Sequence, residues 1–447
     1  MRVRPIVASA VLGSGLLGCG DHSLDATSTA GAVASTGGTA AATGSSTTDE
    51  NPGTQDDGND FPPEDGAFCP PGCDVELETR WTYRGELPDP DRREPDVYRL
   101  EAMTTVFDGT LVFAERRRHD IFITRVSTNG NQLWHDWLPI NQGSEIRDLS
   151  ASADGTIWYS GTALLGLEGG LPVIHFGRFA HDDITDFESQ WTQLQGVPGA
   201  TPRMGTIFPF DDFRAGLVVI DQLAGVNAGA TERIDVFDVN RNGAIDNIRF
   251  VTFQPLTEPA GTPVGAKVTN DTLAVAYPSF TGVSEQGYVV WLRNFVVRDT
   301  APLPGKPDDM ESTPTGRAIA VSHQWSEGQL EIFVDEMGFE LPSIWEFRAV
   351  IDSTTRGNAD VVVDEAGFIT VAVPATRRVN GQTRSRVELI SLTPTGQVHW
   401  NATLPLPFQP GERPIALELA DDGRFKVGGT VNDRVRIDEV EPICACE

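Results

Sequence analysis

Lysine and cysteine are the scarce residues of this chain. Its 447 residues include only three lysines, Lys267, Lys306 and Lys426, so nearly all of the 34 basic residues are arginines. Set against 64 acidic residues they leave a formal net charge of −30. A surface of that sign repels nucleic acid and anionic lipid head groups, so neither is an expected partner. The seven histidines are His22, His119, His135, His175, His181, His323 and His399; none forms a His-Glu-x-x-His pair, which excludes the helical zinc-hydrolase signature. No glycine-rich loop ends in lysine, so the phosphate cradle of a P-loop is absent. Helix-length apolar patterns are few. The apolar run from Ile6 to Leu17 is too short to span a bilayer.

What the chain does have is a repeat. Phe107-Asp108-Gly109 leads into the apolar run Thr110 to Ala114. After a charged gap come Ile121 to Val126, the turn Ser127-Thr128-Asn129-Gly130, and a strand carrying Trp134 and ending Leu138-Pro139. The same outline returns at Asp364 to Gly367, Phe368 to Val373, Arg386 to Leu392, the turn Thr393 to Gly396, and a strand with Trp400 and a terminal Leu404-Pro405. Weaker copies open near Asp154, Gly216, Asp271, Gly316 and Asp421. This makes about seven units of roughly 45–60 residues, a period in the range of propeller blades. Short runs of β-branched and aromatic residues bounded by Gly, Asp and Asn read as strands. The expected fold is an all-β propeller of about seven four-stranded blades, with the Trp of each fourth strand filling the gap between neighbouring blades.

Residues 1–19 read as a targeting segment: Arg2 and Arg4, then the apolar run, then Leu16-Leu17-Gly18-Cys19. That ending resembles the lipobox of bacterial lipoproteins. The resemblance implies that Cys19 is acylated and becomes the anchored N-terminus, on the outer membrane or cell surface, and that the membrane is touched only through this lipid. Residues 20–66 are rich in Ser, Thr, Ala and Gly, then in Asp, Glu, Asn and Pro, and have too little apolar surface to order themselves. Residues 67–447 are then the propeller domain.

The four other cysteines stand at the two ends of that domain: Cys69 and Cys73, Cys444 and Cys446. An exported chain retains disulfides, and Cys444 and Cys446 are too close in sequence to pair easily. Bonding between the ends is favoured, in either of two crossed connectivities, with a zinc site as the other reading. The last unit lacks a Trp strand, and Thr79 to Pro88, with Trp81 and its own Leu-Pro, supplies one. The N-terminal strand is therefore expected to complete the last blade.

Candidate chemistry is sparse. Asp238, Asn240, Asn242 and Asp246 place oxygen donors around Gly243 and resemble the calcium loops of integrin-type propellers and EF-hands. Arg249 stands where a bidentate Glu would complete such a loop, and an ordinary turn is the competing reading. His181-Asp182-Asp183 and the pairs Asp211-Asp212, Asp308-Asp309 and Asp421-Asp422 read as turns before strands.

The Gly turn followed four residues later by Trp resembles the repeats of quinoprotein-like (PQQ-type) propellers. The dehydrogenases of that group also use adjacent cysteines at the quinone, which this chain lacks, so no cofactor is carried over. A lipid-anchored propeller is also similar to an outer-membrane assembly lipoprotein. The expected function is a monomeric, non-enzymatic binding or scaffold module for a protein or polysaccharide ligand. The alternative is a hydrolase or lyase sited in the channel and acting on an envelope or extracellular polymer.

Overall fold

The computed structural model describes residues 68–446, apart from 71–72, 87–97, 119, 141–143, 166–170, 183–187, 193–202, 212–213, 225–229, 241–244, 253–262, 270, 281–284, 295, 327–328, 340, 355–356, 380–381, 411–413 and 421–422. Cys19 and the Ser/Thr-rich stretch lie outside the described residues. Strand β1 (Cys73–Arg84) comes first in sequence. The first blade follows as β2 (Tyr98–Thr105), β3 (Leu111–Arg117), β4 (Asp120–Val126) and β5 (Gln132–Leu138). The second is β6 (Glu145–Ala151), β7 (Thr156–Leu165), β8 (Leu171–Ala180) and β9 (Glu188–Thr192). The third is β10 (Arg203–Asp211), β11 (Arg214–Ala224), β12 (Ala230–Asn240) and β13 (Ile245–Thr252). The fourth is β14 (Val264–Lys267), β15 (Thr272–Phe280), β16 (Glu285–Arg293) and β17 (Val296–Leu303). The fifth is β18 (Lys306–Ser312), β19 (Ala318–Ser326), β20 (Gln329–Gly338) and β21 (Leu341–Asp352). The sixth is β22 (Asp360–Val363), β23 (Ile369–Val379), β24 (Gln382–Leu392) and β25 (Val398–Leu404). The last sheet joins β26 (Ile415–Leu419), β27 (Phe425–Val431) and β28 (Arg434–Cys446) to β1.

Each blade is a four-stranded antiparallel meander, and there is no helix among the described residues. The innermost strands touch in sequence around a ring, β2 to β6, β10, β14, β18, β22, β26 and back to β2. The chain is therefore a closed β-propeller.

Burial follows position in the blade. Second strands have neighbours on both faces, so they read as continuous apolar runs; Ile369 to Ala375 of β23 are all buried, Thr370 included. Near the axis the blades converge, and small side chains are required there. A Cβ on Gly161 would sit 2.0 Å from the Glu145 carbonyl oxygen of the inner strand beside it. Outer strands are half-exposed: β5 runs exposed except at Trp134, His135 and Leu138. The apolar core is consequently divided into clusters, several of which span two adjacent blades, such as the one joining Ile157 and Tyr159 of the second blade to Val112 and Ile123 of the first.

Seven hairpins repeat a single geometry. At Val106–Thr110, Gly109 donates to the Val106 carbonyl (2.8 Å) and Val106 donates to the Thr110 carbonyl (2.9 Å), with Gly109 at φ 76°. Residues of this handedness suit the three-residue hairpin loop, where glycine has no Cβ penalty. The same pair of bonds closes the turns at Gly130, Gly155, Gly316, Gly367, Gly396 and Gly423.

The outer-strand tryptophans act between blades, as their recurrence in sequence suggests. Trp81 of the last blade lies on Gly130 of the first, where an added Cβ would come within 2.8 Å of its ring. Trp345 of the fifth lies on Gly396 of the sixth, and its Nε1 donates to the Pro394 carbonyl (3.2 Å). Trp134 Nε1 donates to the His181 carbonyl of the second blade (3.2 Å), and Trp400 packs edge-on against Phe425 of the last. The Gly and Trp within one repeat thus belong to different junctions.

The ring closes as the cysteine placement implies. β1 pairs with β28 in antiparallel register from Cys73↔Cys446 to Arg84↔Arg436. Of the two crossed connectivities the structure takes Cys69–Cys444 and Cys73–Cys446, with Cα separations of 5.5 and 4.3 Å. Across the seam, Lys426 Nζ donates to the Gly109 carbonyl (2.8 Å) and the Leu100 amide to Thr430 Oγ1 (3.0 Å).

Candidate functional site in the central channel

All seven inner strands line one axial cavity of about 380 Å³. Alternate residues of a strand point to opposite faces, and the inner strands exploit this. Met103, Leu149, Ile207, Met310, Val361 and Leu417 are buried in the blade cores. Their neighbours along the strand are polar: Asp148 and Ser150, Asp309 and Glu311, Asp360, Glu418. The channel is therefore acidic, with Lys267 as the one basic residue lining it among the described residues.

Most of these acids have a task in holding the ring. Asp148 accepts the Ile207 amide of the next blade (2.8 Å), Asp309 the Val361 amide (3.0 Å) and Asp360 the Leu417 amide (2.7 Å). Thr206 takes the equivalent position in the third blade, its Oγ1 accepting the Gly265 amide (3.1 Å). Each acceptor takes the N–H of the residue that follows its counterpart in the neighbouring inner strand. Asp308 adds a further tie, accepting the Ala359 amide (3.2 Å) on one oxygen and His323 Nδ1 (2.6 Å) on the other, both side chains being buried. Glu418 bridges the last blade to the first by accepting the Thr105 amide (3.0 Å). Amides at strand edges facing a narrow channel need such partners.

Three carboxyls stand apart electrostatically. Burial pushes Glu418 up to about 8, helped by the charges of Asp360 and Glu311 and opposed by the Thr105 amide and Lys426. Glu311 is also raised, by burial first and by Asp360, against the bonds it accepts from Ser312. Glu101, at the edge of the cavity, is pushed up to about 7 by burial despite Arg116 at 3.0 Å. Glu311, Asp360 and Glu418 come from three successive inner strands and so stand as a row of carboxyls, of which Glu418 is pushed furthest up.

Apart from Asp308 and Asp309, the residues singled out from sequence do not line the channel where they are described. Asp238 and Asn240 lie on β12 and Asp246 on β13, while Asn242 falls outside the described residues, as do the side chains of the other three. Among the described residues no group of three or more His, Cys, Asp and Glu is placed to hold a metal ion. His181 sits in a turn, its Nδ1 against the Gly155 carbonyl (3.1 Å). The reading of Asp308-Asp309 as a turn is overturned: both belong to β18, beside a bulge that separates Pro307 from Asp309 in the ladder. Phasing the repeat on its glycine turn cuts off the strand that precedes the turn, and that strand carries the channel acids. The usable signal was an acid–apolar–acid alternation just before a turn, as in Asp309-Met310-Glu311.

No family model matches this chain, and no curated protein matches it. Among solved structures it is similar to one described as "Structure of Dos1 propeller", with 9% identity over 81% of this chain and 95% of that one and a TM-score of 0.40. It is also similar to a glucose dehydrogenase at 11% identity, covering 81% and 98% with a TM-score of 0.39. A second glucose dehydrogenase gives 10% identity, 81% and 98%, and a TM-score of 0.38.

Proposed function

We propose that this propeller is a non-enzymatic binding module that receives a polyhydroxylated ligand, a saccharide unit of an envelope or extracellular polymer, in its channel. The observation that carries this reading is the Glu311–Asp360–Glu418 row. A hydroxyl group donates one hydrogen bond and accepts others, so it is served by Glu418, pushed up far enough to hold a proton, beside the acceptor oxygens of its neighbours. Asp148, Asp308 and Asp309 act as structural ties to backbone amides of adjacent blades, and Asp360 and Glu418 each give only one oxygen to such an amide. Cys19, acylated, and the stretch 20–66 would tether the domain to the membrane in this reading; loss of fatty-acid labelling in Cys19→Ser tests that part.

Calorimetric titration with mono- and oligosaccharides tests the binding itself. Glu418→Gln keeps a hydrogen-bond donor and should retain binding, whereas Glu418→Leu should abolish it. Equal binding by both variants, or no saturable binding across the panel, would overturn the reading. A channel-sited hydrolase or lyase is the second reading, favoured by one feature: a carboxyl pushed up to about 8, Glu418, among other carboxyls is also what acid–base catalysis uses. Product formation from a polymer substrate, lost in Glu418→Gln while binding persists, would establish it.

A further inference from the structure

A second cavity of about 230 Å³ opens at the start of the inner strands, where the last, first and second blades meet. It shares Glu101 with the channel but has the opposite character. Arg99 on β2, Arg116 on β3 and Arg147 on β6 line it, against Glu101 and Glu145. Three guanidiniums facing two carboxyls leave an excess of positive charge, in a chain whose net charge is −30. We propose that this pocket binds the oxyanion of a small carboxylate or phosphate ligand.

The bonding pattern shows where the anion would sit. Glu145 holds two of the arginines in place, accepting Arg116 Nη1 at 2.6 Å and pairing with Arg147 Nη2 at 2.9 Å. Arg116 Nε is turned to Glu101 at 3.0 Å. Arg99 acts on Glu101 and Glu145 through space, but makes no hydrogen bond or close ion pair among the described residues and is exposed, so its planar fork of donors is available to an oxyanion. Thr430, also in the lining, accepts the Leu100 amide on its Oγ1 (3.0 Å) and keeps its O–H to donate. A structural ion-pair network would need only the two arginines that Glu145 already serves. The third, placed beside them with its donors unspent, is what a ligand site requires. Burial of Glu101 supports the same sign, because a carboxyl that holds its proton near neutrality weakens the competing negative charge. The inference does not depend on what the channel binds.

The test is titration of the disulfide-intact protein with inorganic phosphate and with malonate at low ionic strength, followed by calorimetry. Saturable binding of either anion is expected, weakened about tenfold or more in Arg99→Gln by loss of a charge-assisted hydrogen bond. Arg99→Lys should recover part of it, and Arg378→Gln, an exposed arginine on β23, should leave it unchanged. Arg99 is exposed and makes no hydrogen bond among the described residues, so thermal unfolding should be nearly the same in all four proteins. Absence of saturation by both anions, or equal affinity in Arg99→Gln and the parent, overturns the proposal.

Discussion

Removing the disulfides one at a time and together should give losses that are far from additive. Cys69–Cys444 and Cys73–Cys446 span 375 and 373 residues, so either bond alone closes nearly the whole domain into one loop. With loop-closure entropy written as 2.1 + 1.5R ln n, such a loop is worth about 6 kcal/mol at 25 °C. Once it is closed, the second bond closes a loop of only about eight residues, from Cys69 to Cys73 and Cys444 to Cys446, worth about 2.5 kcal/mol. Cys69→Ser/Cys444→Ser and Cys73→Ser/Cys446→Ser should therefore each cost about 2.5 kcal/mol, and all four substitutions together about 8.5 kcal/mol. The excess over the sum of the two pairwise losses is about 3.5 kcal/mol, well outside the scatter expected of independent sites. Urea unfolding at equilibrium, monitored by tryptophan fluorescence, measures all four proteins on one scale. Strict additivity would refute the reasoning, because it would mean that the two bonds do not close the same loop.

Three further outcomes follow from the ring. Asp360→Ala leaves the buried-edge amide of Leu417 without its acceptor at 2.7 Å, and should lower stability by about 1–3 kcal/mol in the same urea assay. Gly396→Ala and Gly423→Ala both force a side chain into a left-handed conformation (φ 79° and 78°), but only the first meets a ring, Trp345 at 2.5 Å; it should cost about 1–3 kcal/mol more than the second, and an equal cost would contradict the docking of Trp345. The raised carboxyls set a pH dependence: Glu418 and Glu101 hold protons in the folded chain that they release in the unfolded one, so the folded state binds more protons between about pH 4.5 and 8. Stability should accordingly fall as pH rises through that window, and Glu418→Gln should flatten the fall; a urea midpoint that climbs with pH would sink this account.

Much of the architecture could be read before any coordinates. The turn glycines, the recurrent Trp and the Leu-Pro endings report backbone handedness and inter-blade packing, and both leave local marks in sequence. Closure of the last blade by β1 was legible because Trp81 supplied a missing element and four cysteines stood at the two ends. Which cysteine met which depends on strand register, Cys73 opposite Cys446, and register is a property of the paired strands that spacing alone does not express. The channel acids were missed for a different reason. Asp148, Asp309 and Asp360 look like ordinary polar residues, and their meaning comes from amides 59, 52 and 57 positions away in the next blade, while Glu418 reaches back 313 positions to Thr105 of the first. The arginine pocket is equally non-local, assembled from residues on β2, β3 and β6.

The pairing of β1 with β28 has a consequence for how the molecule comes into being. Its contacts join residues more than 350 positions apart, so they form only after β28 has been made. Until then β1 stands without its partner, an unpaired strand open to aggregation or to attack by proteases. A product truncated before β28 can neither cover β1 nor form either disulfide. The seam thus works as a check that the strand closing the ring is in place.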